Sequence, residues 1–468
     1  MNKSASIEWR KRQAINEFRY ILTTYIFPLL RYEGEAILKV EPTTSTDLKK
    51  HIKCYTKGKV SFLYFFPSLS TPQFHFRLKT DDQEQELGAA EQILRELLRV
   101  SKFDYRSSQF SAIQMYDKNN VYRNAMFNVA FEVGLCNWLG GERIYDLIGR
   151  LRDWSQKTYE GNHMSFGFVI DASTKATGTT DYLNFLKSNH SAVFTDGMSS
   201  GIKLDNEGRI VKYFSAIYDH TSRSNRHIPW TPYEYIDFTN MCCSENGSEW
   251  IGIIMQSSGD MLIFKSRQLV FVKRKGEWMY LHSHTIHSLI GDRYKSDATE
   301  DDSLCAKRFA DEVYLSVLDA AFAHKGGCIA IIDEQYVDEV QKHSFPKDSL
   351  DSDEYADDST IEKKTVIKRL ISAGSTHSDR HYFQYLDRKL RLELLSLDGA
   401  TVLDPSGRVL CAGAIVKING GSDGGAREAA AKELAKYGLA MKISTDGSIQ
   451  CFTNKSDKKE STEIFKTL

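Results

Sequence analysis

Hydrophobic residues recur at the 3.6-residue spacing of an α-helix in four segments of the chain. The segments are 7–30, 87–97, 120–158 and 309–321. Pro28 ends the first segment, and Gly140-Gly141 interrupts the third. The pattern therefore predicts amphipathic helices in these regions, with the longest one broken in two.

Shorter runs of apolar and β-branched residues predict strands between the helices. The predicted strands are 36–40, 60–66, 74–78, 166–171, 328–332, 392–397, 409–416 and 439–443. Together the elements predict an α+β or α/β protein whose C-terminal domain is a mixed sheet flanked by helices. The expected divisions are an N-terminal α+β domain with a possible sensor role (1–160), a β-rich middle domain (161–300), a C-terminal domain (301–456) and a fraying polar tail (457–468).

The charge balance argues against a protein that is basic overall. The chain has 61 Lys and Arg against 62 Asp and Glu, a formal net charge of −1, so nucleic acid is not an expected partner. Eight scattered cysteines without zinc-ligand spacing are typical of reduced thiols. The sequence has no apolar run of membrane-spanning length, and its charged N-terminus lacks the apolar centre of a signal peptide. A cytoplasmic protein without a membrane partner is therefore expected.

Two features near the C-terminus indicate nucleotide chemistry. Asp398-Gly399 follows the predicted strand over 392–397, where a carboxylate can hold Mg²⁺ or Mn²⁺ through oxygen. The glycine-rich segment 420–427 leads into an Ala-rich helix, whose free N–H groups and dipole favour a phosphate. This order predicts a metal-assisted nucleotide site.

Five motifs in this part of the chain follow one another in a characteristic order. They are a helix running into Lys325-Gly326-Gly327, the strand Cys328–Asp333, Asp398-Gly399-Ala400, Gly425-Ala426-Arg427 opening a helix, and Ser444-Thr445-Asp446-Gly447. The set resembles the catalytic domain of the diadenylate cyclase family, which condenses two ATP molecules into cyclic di-AMP. The resemblance covers roughly residues 303–455. Each motif is common by itself, and the specificity lies in their order.

The resemblance implies a role for each matching residue. Asp398 would hold the metal ion, Mg²⁺ or Mn²⁺, and activate the attacking 3′-hydroxyl, and Arg427 would be the catalytic contact to phosphate. Glu428 would supply a second metal ligand. Nucleotide contacts would come from Gly327, Gly399, Ala400, Gly424, Gly425, Ala426, Ser444 and Asp446. The implied substrate is ATP, and in this family two such sites face each other during cyclisation. A homo-oligomer through this domain is the simpler way to provide them, and the alternative is an internal pseudo-dimer with a second copy of the domain in the same chain.

Each of these roles has a structural alternative. Asp398 can be a turn residue, Arg427 an exposed arginine of a first helical turn, and Glu428 a helix-terminal acid. Asp446 can belong to a type I′ turn with Gly447.

The chain also departs from the family. Ala426-Arg427-Glu428-Ala429 stands where the family has Thr-Arg-His-Arg, which removes a hydroxyl, an imidazole and a guanidinium. Thr445 replaces the first Glu of the last motif. The sequence predicts a metal-dependent nucleotidyltransferase that makes a cyclic or linear di-adenylate signal under an N-terminal sensor region. Two alternatives stay open: a nucleotide-binding sensor without turnover, and an interaction scaffold with relict motifs.

The middle of the chain contains a possible degenerate copy of the C-terminal pattern. The paired segments are 166–171 with 328–333, 196–197 with 398–399, 204–209 with 403–408, and 254–264 with 442–452. Asn225-Arg226-His227 falls near the position of the family's Arg-His motif. The alternative is that these are unrelated hairpin turns, which are frequent in antiparallel sheets.

Three further patterns each have a functional and a simpler interpretation. The acidic segment 344–360 is interpreted as a mobile insertion, with a lid over the site as the alternative. His282, His284 and His287 have a spacing that zinc can use, but imidazoles on a strand and turn are the simpler interpretation. Gly197-Met198-Ser199-Ser200-Gly201 matches a hydrolase elbow by chance, because a strand rather than a helix is predicted after it.

Overall fold

The structure is a computed structural model and describes the following residues. They are 20–26, 39–42, 52–56, 60–65, 72–78, 88–97, 121–171, 180–186, 194–215, 230–241, 250–265, 268–281, 283–295, 302–340, 350, 362–373, 382–416, 425–454 and 461–466. They form a mixed α+β structure, which confirms the predicted general class. The predictions that fall on residues 7–19, 27–30, 36–38, 66, 87, 120, 225–227, 282, 420–424, 457–460 and 467–468, and on 344–360 apart from Leu350, lie outside the described residues.

The chain divides into two compact units. Unit 1 comprises Met1–Phe214, Ser244–Ile263 and Phe271–Tyr280, and unit 2 comprises Ser215–Cys243, Phe264–Val270 and Leu281–Leu468. Among the described residues, no helix is long and apolar enough to cross a membrane.

Unit 1 begins with a helical segment and a small antiparallel sheet. Residues 20–26 are helical, and strands β1 (Lys39–Pro42), β2 (Ile52–Thr56), β3 (Val60–Phe65) and β4 (Pro72–Leu78) pair in the order β1-β4-β3-β2. The strands predicted at 60–66 and 74–78 are confirmed by β3 and β4.

Three helices follow in the same unit. They are α1 (88–97), α2 (Val121–Leu139) and α3 (Glu142–Ser155). Gly140 and Gly141 separate α2 from α3 with φ angles of 141° and 97°, which glycine adopts readily, so the predicted break is confirmed. Helix α3 buries Ile144, Leu147, Ile148 and Leu151, the spacing of an amphipathic helix.

A large mixed sheet follows the helices. Its strands are β7 (Phe166–Asp171), β8 (Thr180–Asp181), β9 (Ser200–Leu204), β10 (Arg209–Ser215), β11 (Trp250–Met255), β12 (Met261–Lys265), β13 (Gln268–Arg274) and β14 (Glu277–Tyr280). The order is β14-β13-β12-β11-β7-β9-β10-β8, with β7 parallel to β9 and antiparallel to β11. The hairpin β5 (Thr158–Tyr159) and β6 (Asn162–His163) precedes the sheet, and helix α4 (Tyr182–Leu186) follows β8. β9 ends in a hairpin turn rather than a helix, which confirms that Gly197–Gly201 is not a hydrolase elbow.

Unit 2 is built on a second mixed sheet. Its strands are β15 (Gly327–Ile332), β16 (Ala400–Leu403), β17 (Val409–Ala414), β18 (Gly438–Ile443), β19 (Ile449–Asn454) and β20 (Ser461–Lys466), in the order β17-β16-β15-β18-β19-β20. The strands predicted at 328–332, 409–416 and 439–443 are confirmed. The expectation of a fraying tail was wrong for 461–466, because β20 pairs with β19.

Unit 2 also has longer helices, several of which contact this sheet. They are α5 (Ile236–Met241), α6 (Ser283–Gly291), α7 (Asp302–Phe322), α8 (Lys363–Ala373), α9 (Arg388–Leu395) and α10 (Ala426–Leu434). Ala431 and Leu434 of α10 pack in one buried cluster with Cys328, Ala330 and Phe452 of the sheet. Helix α7 packs against α6 and α9, and both α7 and α9 contact the sheet.

The strand predicted at 392–397 is wrong, because Arg388–Leu395 forms helix α9. The carboxylate of Asp387 caps the helix by accepting a hydrogen bond from the Lys389 N–H at 2.9 Å. Arg391, Leu394 and Leu395 are buried on one face, the i, i+3, i+4 spacing of a helix. Asp398 therefore follows a helix and a turn, and precedes strand β16 rather than ending a strand.

The two mixed sheets share a strand order. Read across the sheet from one side, the order β10-β9-β7-β11-β12-β13 in the first sheet corresponds to β17-β16-β15-β18-β19-β20 in the second. The central strands are β7 and β15. In each sheet the central strand is parallel to one neighbour and antiparallel to the other. The sequence segments paired as a possible repeat fall on corresponding strands, and this supports the duplication hypothesis.

Candidate functional site

Three of the predicted motifs meet at one end of the strands of the second sheet, the end at which β15 and β16 begin and β18 finishes. We use edge for this side of the sheet. Strands β15 and β16 run parallel, with Ile329 opposite Thr401, so the residues before each strand lie at the same edge. Strand β18 is antiparallel to β15 and ends with Ile443 opposite Gly327, which brings the following turn to that edge. We call the segments 325–327, 398–400 and 444–446 the phosphate edge. Neighbouring strands are about 4.8 Å apart, so these segments are adjacent.

Arg427 lies against this edge. It is the second residue of α10, whose N-cap Gly425 has φ 81° and makes no side-chain cap hydrogen bond. A Cβ placed on Gly326 would collide with the Arg427 guanidinium and would lie 3.2 Å from the Thr445 methyl group. A side chain at 326 would require the guanidinium to move, and the Nε of Arg427 is buried without a hydrogen-bond partner among the described residues. An unpaired buried donor of this kind is costly unless a ligand supplies the acceptor.

Asp398 occupies the neighbouring segment. Its side chain is exposed, and no described residue forms a hydrogen bond or ion pair with its carboxylate. The following Gly399 has φ 102°, and a Cβ there would lie 2.5 Å from the Gly413 carbonyl carbon, so this turn is held tightly on β17. The backbone thus fixes the position of a carboxylate that has no structural partner.

Lysines also gather around the phosphate edge. Lys325 and Lys363 each place Nζ 2.6 Å from a carboxylate oxygen of Glu393, and Lys364 Nζ donates to the Gly413 carbonyl at 2.7 Å. The hydrogen bond from Lys325, followed by that from Lys363, lowers the pKa of Glu393 to about 2. The sequence did not predict that Lys363 and Lys364 lie near this edge. Neither residue belongs to one of the motifs, and only the folding of the chain brings them there.

His324 was also missed, although it directly precedes the Lys-Gly motif. Its Nδ1 lies 3.2 Å from the Thr445 carbonyl oxygen, so an imidazole stands at the phosphate edge. The residue has φ 52°, and this left-handed backbone directs the chain into β15.

Glu428 has a different environment from the one that a metal ligand requires. Its carboxylate accepts hydrogen bonds from Lys432 Nζ at 2.7 Å and from Lys442 Nζ at 3.0 Å. The Lys432 hydrogen bond is the largest cause of a lowered pKa for Glu428. Because both carboxylate oxygens are paired with ammonium groups, the geometry does not favour the expected metal role.

The last motif forms the turn between β18 and β19. Asp446 Oδ1 accepts hydrogen bonds from the Ser448 N–H at 3.0 Å and hydroxyl at 2.9 Å, and the Ser444 N–H donates to the Ser448 carbonyl. Gly447 has φ 83°, whereas Asp446 does not have a positive φ. The turn is therefore a three-residue hairpin loop with a left-handed glycine and not a type I′ turn.

At the corresponding edge of the first sheet, the aspartate carboxylate is hydrogen-bonded within its own turn. Asp196 Oδ1 accepts hydrogen bonds from the N–H groups of Met198, Ser199 and Ser200, each at 2.9 Å. Both serine hydroxyls also donate to this carboxylate. Burial alone would raise the pKa of Asp196, but these hydrogen bonds outweigh it and lower the pKa. Asp196 is thus a turn residue.

The structure does not support a metal site at the other predicted positions that it describes. No group of three or more His, Cys, Asp or Glu side chains in the described parts of the chain could hold a metal ion. His287 lies on α6, not on a strand, and its Nε2 is 2.9 Å from Asp311 Oδ1. Buried Trp230 also donates to that oxygen at 3.0 Å. His287, Trp230 and Asp311 therefore contact one another inside the unit.

No protein-family model matches the chain, and no curated protein sequence is significantly similar to it.

Proposed function

We propose that the phosphate edge of unit 2 binds the polyphosphate of ATP, and that unit 2 is a nucleotidyltransferase of the diadenylate cyclase type. The observation that carries the proposal is the buried, unpaired Nε of Arg427 beside Gly326. Guanidinium groups match phosphate in a bidentate way. A phosphate oxygen at this edge would complete the hydrogen bonding of Arg427.

The surrounding charges support the same ligand. Lys325 and Lys363 share one carboxylate, that of Glu393, so this group has an excess of positive charge. The first turn of α10 adds backbone N–H groups, because Gly425 provides no side-chain cap. A polyanion therefore meets Arg427, two lysines and a helix N-terminus.

Asp398 is the residue through which the proposal extends from binding to turnover. Magnesium commonly binds through one or two carboxylates, completed by substrate phosphates and water, so one exposed carboxylate without a partner fits this ion. When bound, Mg²⁺ or Mn²⁺ would neutralise charge on the phosphates. Asp398 would orient the attacking hydroxyl, and Arg427 would hold the phosphoryl oxygens on which charge develops.

A second candidate function is nucleotide binding without turnover. It is favoured by Glu428, whose two lysine partners remove the second carboxylate that the resemblance assigns to metal. In that case the unit would act as a nucleotide-responsive regulator.

One experiment separates the two functions. The purified full chain is incubated with labelled ATP and Mn²⁺, products are resolved by chromatography, and Asp398→Asn is assayed beside the wild type. Turnover predicts a di-adenylate product that disappears in Asp398→Asn while ATP affinity stays within a few-fold. ATP binding without product in the wild type supports the regulator, and absence of ATP binding contradicts both.

A further inference from the structure

Unit 1 contains a small cavity that has no part in the proposed nucleotide site. It lies at the carboxyl ends of β7 and β9, the parallel pair of the first sheet, where Ile170 and Leu204 line it. Its volume is about 140 Å³. In open α/β sheets, ligands bind beyond the carboxyl ends of the strands.

The part of the cavity between α3 and the sheet is apolar, whereas Arg143, Tyr182, Asp205 and Asn206 line the rest of it. Ile144 and Leu147 of α3 face the sheet residues Ile170, Leu204 and Ile251 across it. All five side chains are buried or nearly so. Apolar cavities of roughly this volume, about 150 Å³, stay dry and accept benzene. A six-membered ring or a branched chain of similar size therefore fits.

Tyr182 and Gly208 shape one end of the cavity. The Gly208 carbonyl accepts the Tyr182 N–H at 3.1 Å, and a Cβ on Gly208 would lie 2.9 Å from the tyrosine ring. The Tyr182 hydroxyl donates to the Arg143 carbonyl at 3.3 Å. Burial raises the pKa of Tyr182 to about 12, so the hydroxyl stays protonated.

Arg143 provides a cation at the mouth. Its side chain is exposed, and its Nη1 is 3.6 Å from a Cβ position on Gly208. No hydrogen-bond or ion-pair partner of the guanidinium occurs among the described residues. Asp205 also lines the cavity, but its Oδ1 accepts the N–H groups of Glu207 and Arg209 at 2.9 Å. Four charged groups act on Tyr182: after burial, Asp146 and Asp181 raise its pKa, and Arg143 and Arg150 lower it.

We propose that this cavity binds a small carboxylic acid whose apolar body enters between α3 and the sheet and whose carboxylate pairs with Arg143. The observation behind it is the combination of an apolar, benzene-sized interior with a cation that has no partner at the mouth. The site would give unit 1 a ligand of its own, separate from the nucleotide.

The test uses the full chain and benzoate as the probe, with benzamide and benzene as neutral probes of similar shape. We expect benzoate to bind in calorimetric titration and to raise the melting temperature, with affinity at least tenfold above benzamide. Arg143→Gln should remove that preference. Arg150→Gln, an exposed arginine of the same helix that does not line the cavity, should bind as the wild type does. Absence of benzoate binding, or equal affinity for benzoate in Arg143→Gln, would overturn the proposal.

A second variant tests whether the ring occupies the cavity. Leu147→Phe should fill the space and abolish binding of benzoate, whereas Ile148→Val, on the same helix but not lining the cavity, should not. Circular dichroism checks that both variants fold, and Leu204→Phe serves if Leu147→Phe does not. Benzoate binding that survives in a folded cavity-filling variant contradicts the assignment. Asp398→Asn should bind benzoate normally, which separates this proposal from the nucleotide site.

Discussion

In each of the two mixed sheets, an Asp-Gly turn precedes the strand that lies parallel to the central strand. The turn is Asp196-Gly197 before β9 in the first sheet and Asp398-Gly399 before β16 in the second. In the first sheet, three backbone N–H groups and two hydroxyls donate to the carboxylate of Asp196. In the second sheet the carboxylate of Asp398 is exposed and has no partner among the described residues. The same strand order thus holds one aspartate that stabilises its own turn and one that is available to a ligand. Strand order alone does not indicate function, which depends on the geometry and chemistry of the side chains at the site.

The largest expected effect comes from exchanging the two aspartates for alanine. Asp398→Ala should reduce product formation by at least ~100-fold, the scale of losing a proton-transfer group, and leave the melting temperature unchanged. Asp196→Ala should lower the free energy of unfolding by about 1–2 kcal/mol, as loss of a cap does, with product formation unchanged. Chemical denaturation and a product assay on both variants check this. The reverse pattern would show that the comparison assigns the two residues wrongly.

The contact between Gly326 and Arg427 gives the next largest effect. Gly326→Ala should displace the guanidinium and weaken ATP binding by roughly 10–100-fold, since a hydrogen bond to a charged group contributes about 1.5–3 kcal/mol. Gly149→Ala is the matched control, because a Cβ at Gly149 meets nothing within 4 Å. This change in α3 should stabilise the protein by about 0.5–1 kcal/mol and leave ATP binding alone. Equal ATP affinity in the two variants would place the phosphate elsewhere.

The next effect concerns Glu428 and is a change of a few-fold in ATP affinity. Glu428→Gln frees Lys432 and Lys442, so ATP affinity should rise about two- to fivefold with or without metal, from relief of repulsion near the triphosphate. The control is Glu433→Gln on the same helix as Glu428, which loses a 2.7 Å ion pair with Lys436 in the 3₁₀ turn that follows the helix. Titration calorimetry with and without Mn²⁺ measures both. A fall in affinity only when metal is present would restore the metal role that the resemblance implied.

The smallest effect concerns the Glu393 bridge and its pH dependence. Its pKa of about 2 in the folded chain lies below the ordinary value of about 4.3. The bridge therefore stabilises the fold fully at neutral pH and is lost as the pH falls from about 4 towards 2. Because the pair is partly exposed, Glu393→Gln should cost only about 0.2–1 kcal/mol at pH 7. Urea unfolding should show this difference shrinking below pH 4, and a difference that stays constant to pH 3 would argue against the bridge.

Much of the second sheet followed from the sequence. The strands at 328–332, 409–416 and 439–443 are continuous apolar runs, which buried strands produce whatever surrounds them. The error at 392–397 has a physical cause: four leucines suit a strand or a buried helix equally, and the deciding signal was the Asp387 cap.

The candidate site was less predictable. The meeting of the Lys-Gly, Asp-Gly and Ser-Thr-Asp motifs depends on the pairing of β16, β15 and β18, which no pattern within a single motif encodes. The pairing of Glu428 with Lys442, 14 residues later, depends on how α10 lies on β18, and no local pattern encodes it. The same holds for Lys363 and Lys364, which reach the phosphate edge from a distant helix.

The most direct test of the central claim is the affinity of the full chain for ATP in Arg427→Gln relative to the wild type. Calorimetric titration should show a roughly 10–150-fold weaker affinity, since one charge-assisted hydrogen bond contributes about 1.5–3 kcal/mol. Arg427→Lys should fall between the two, because it keeps the charge and loses the bidentate geometry. An ATP affinity in Arg427→Gln equal to that of the wild type would contradict the assignment of the phosphate edge.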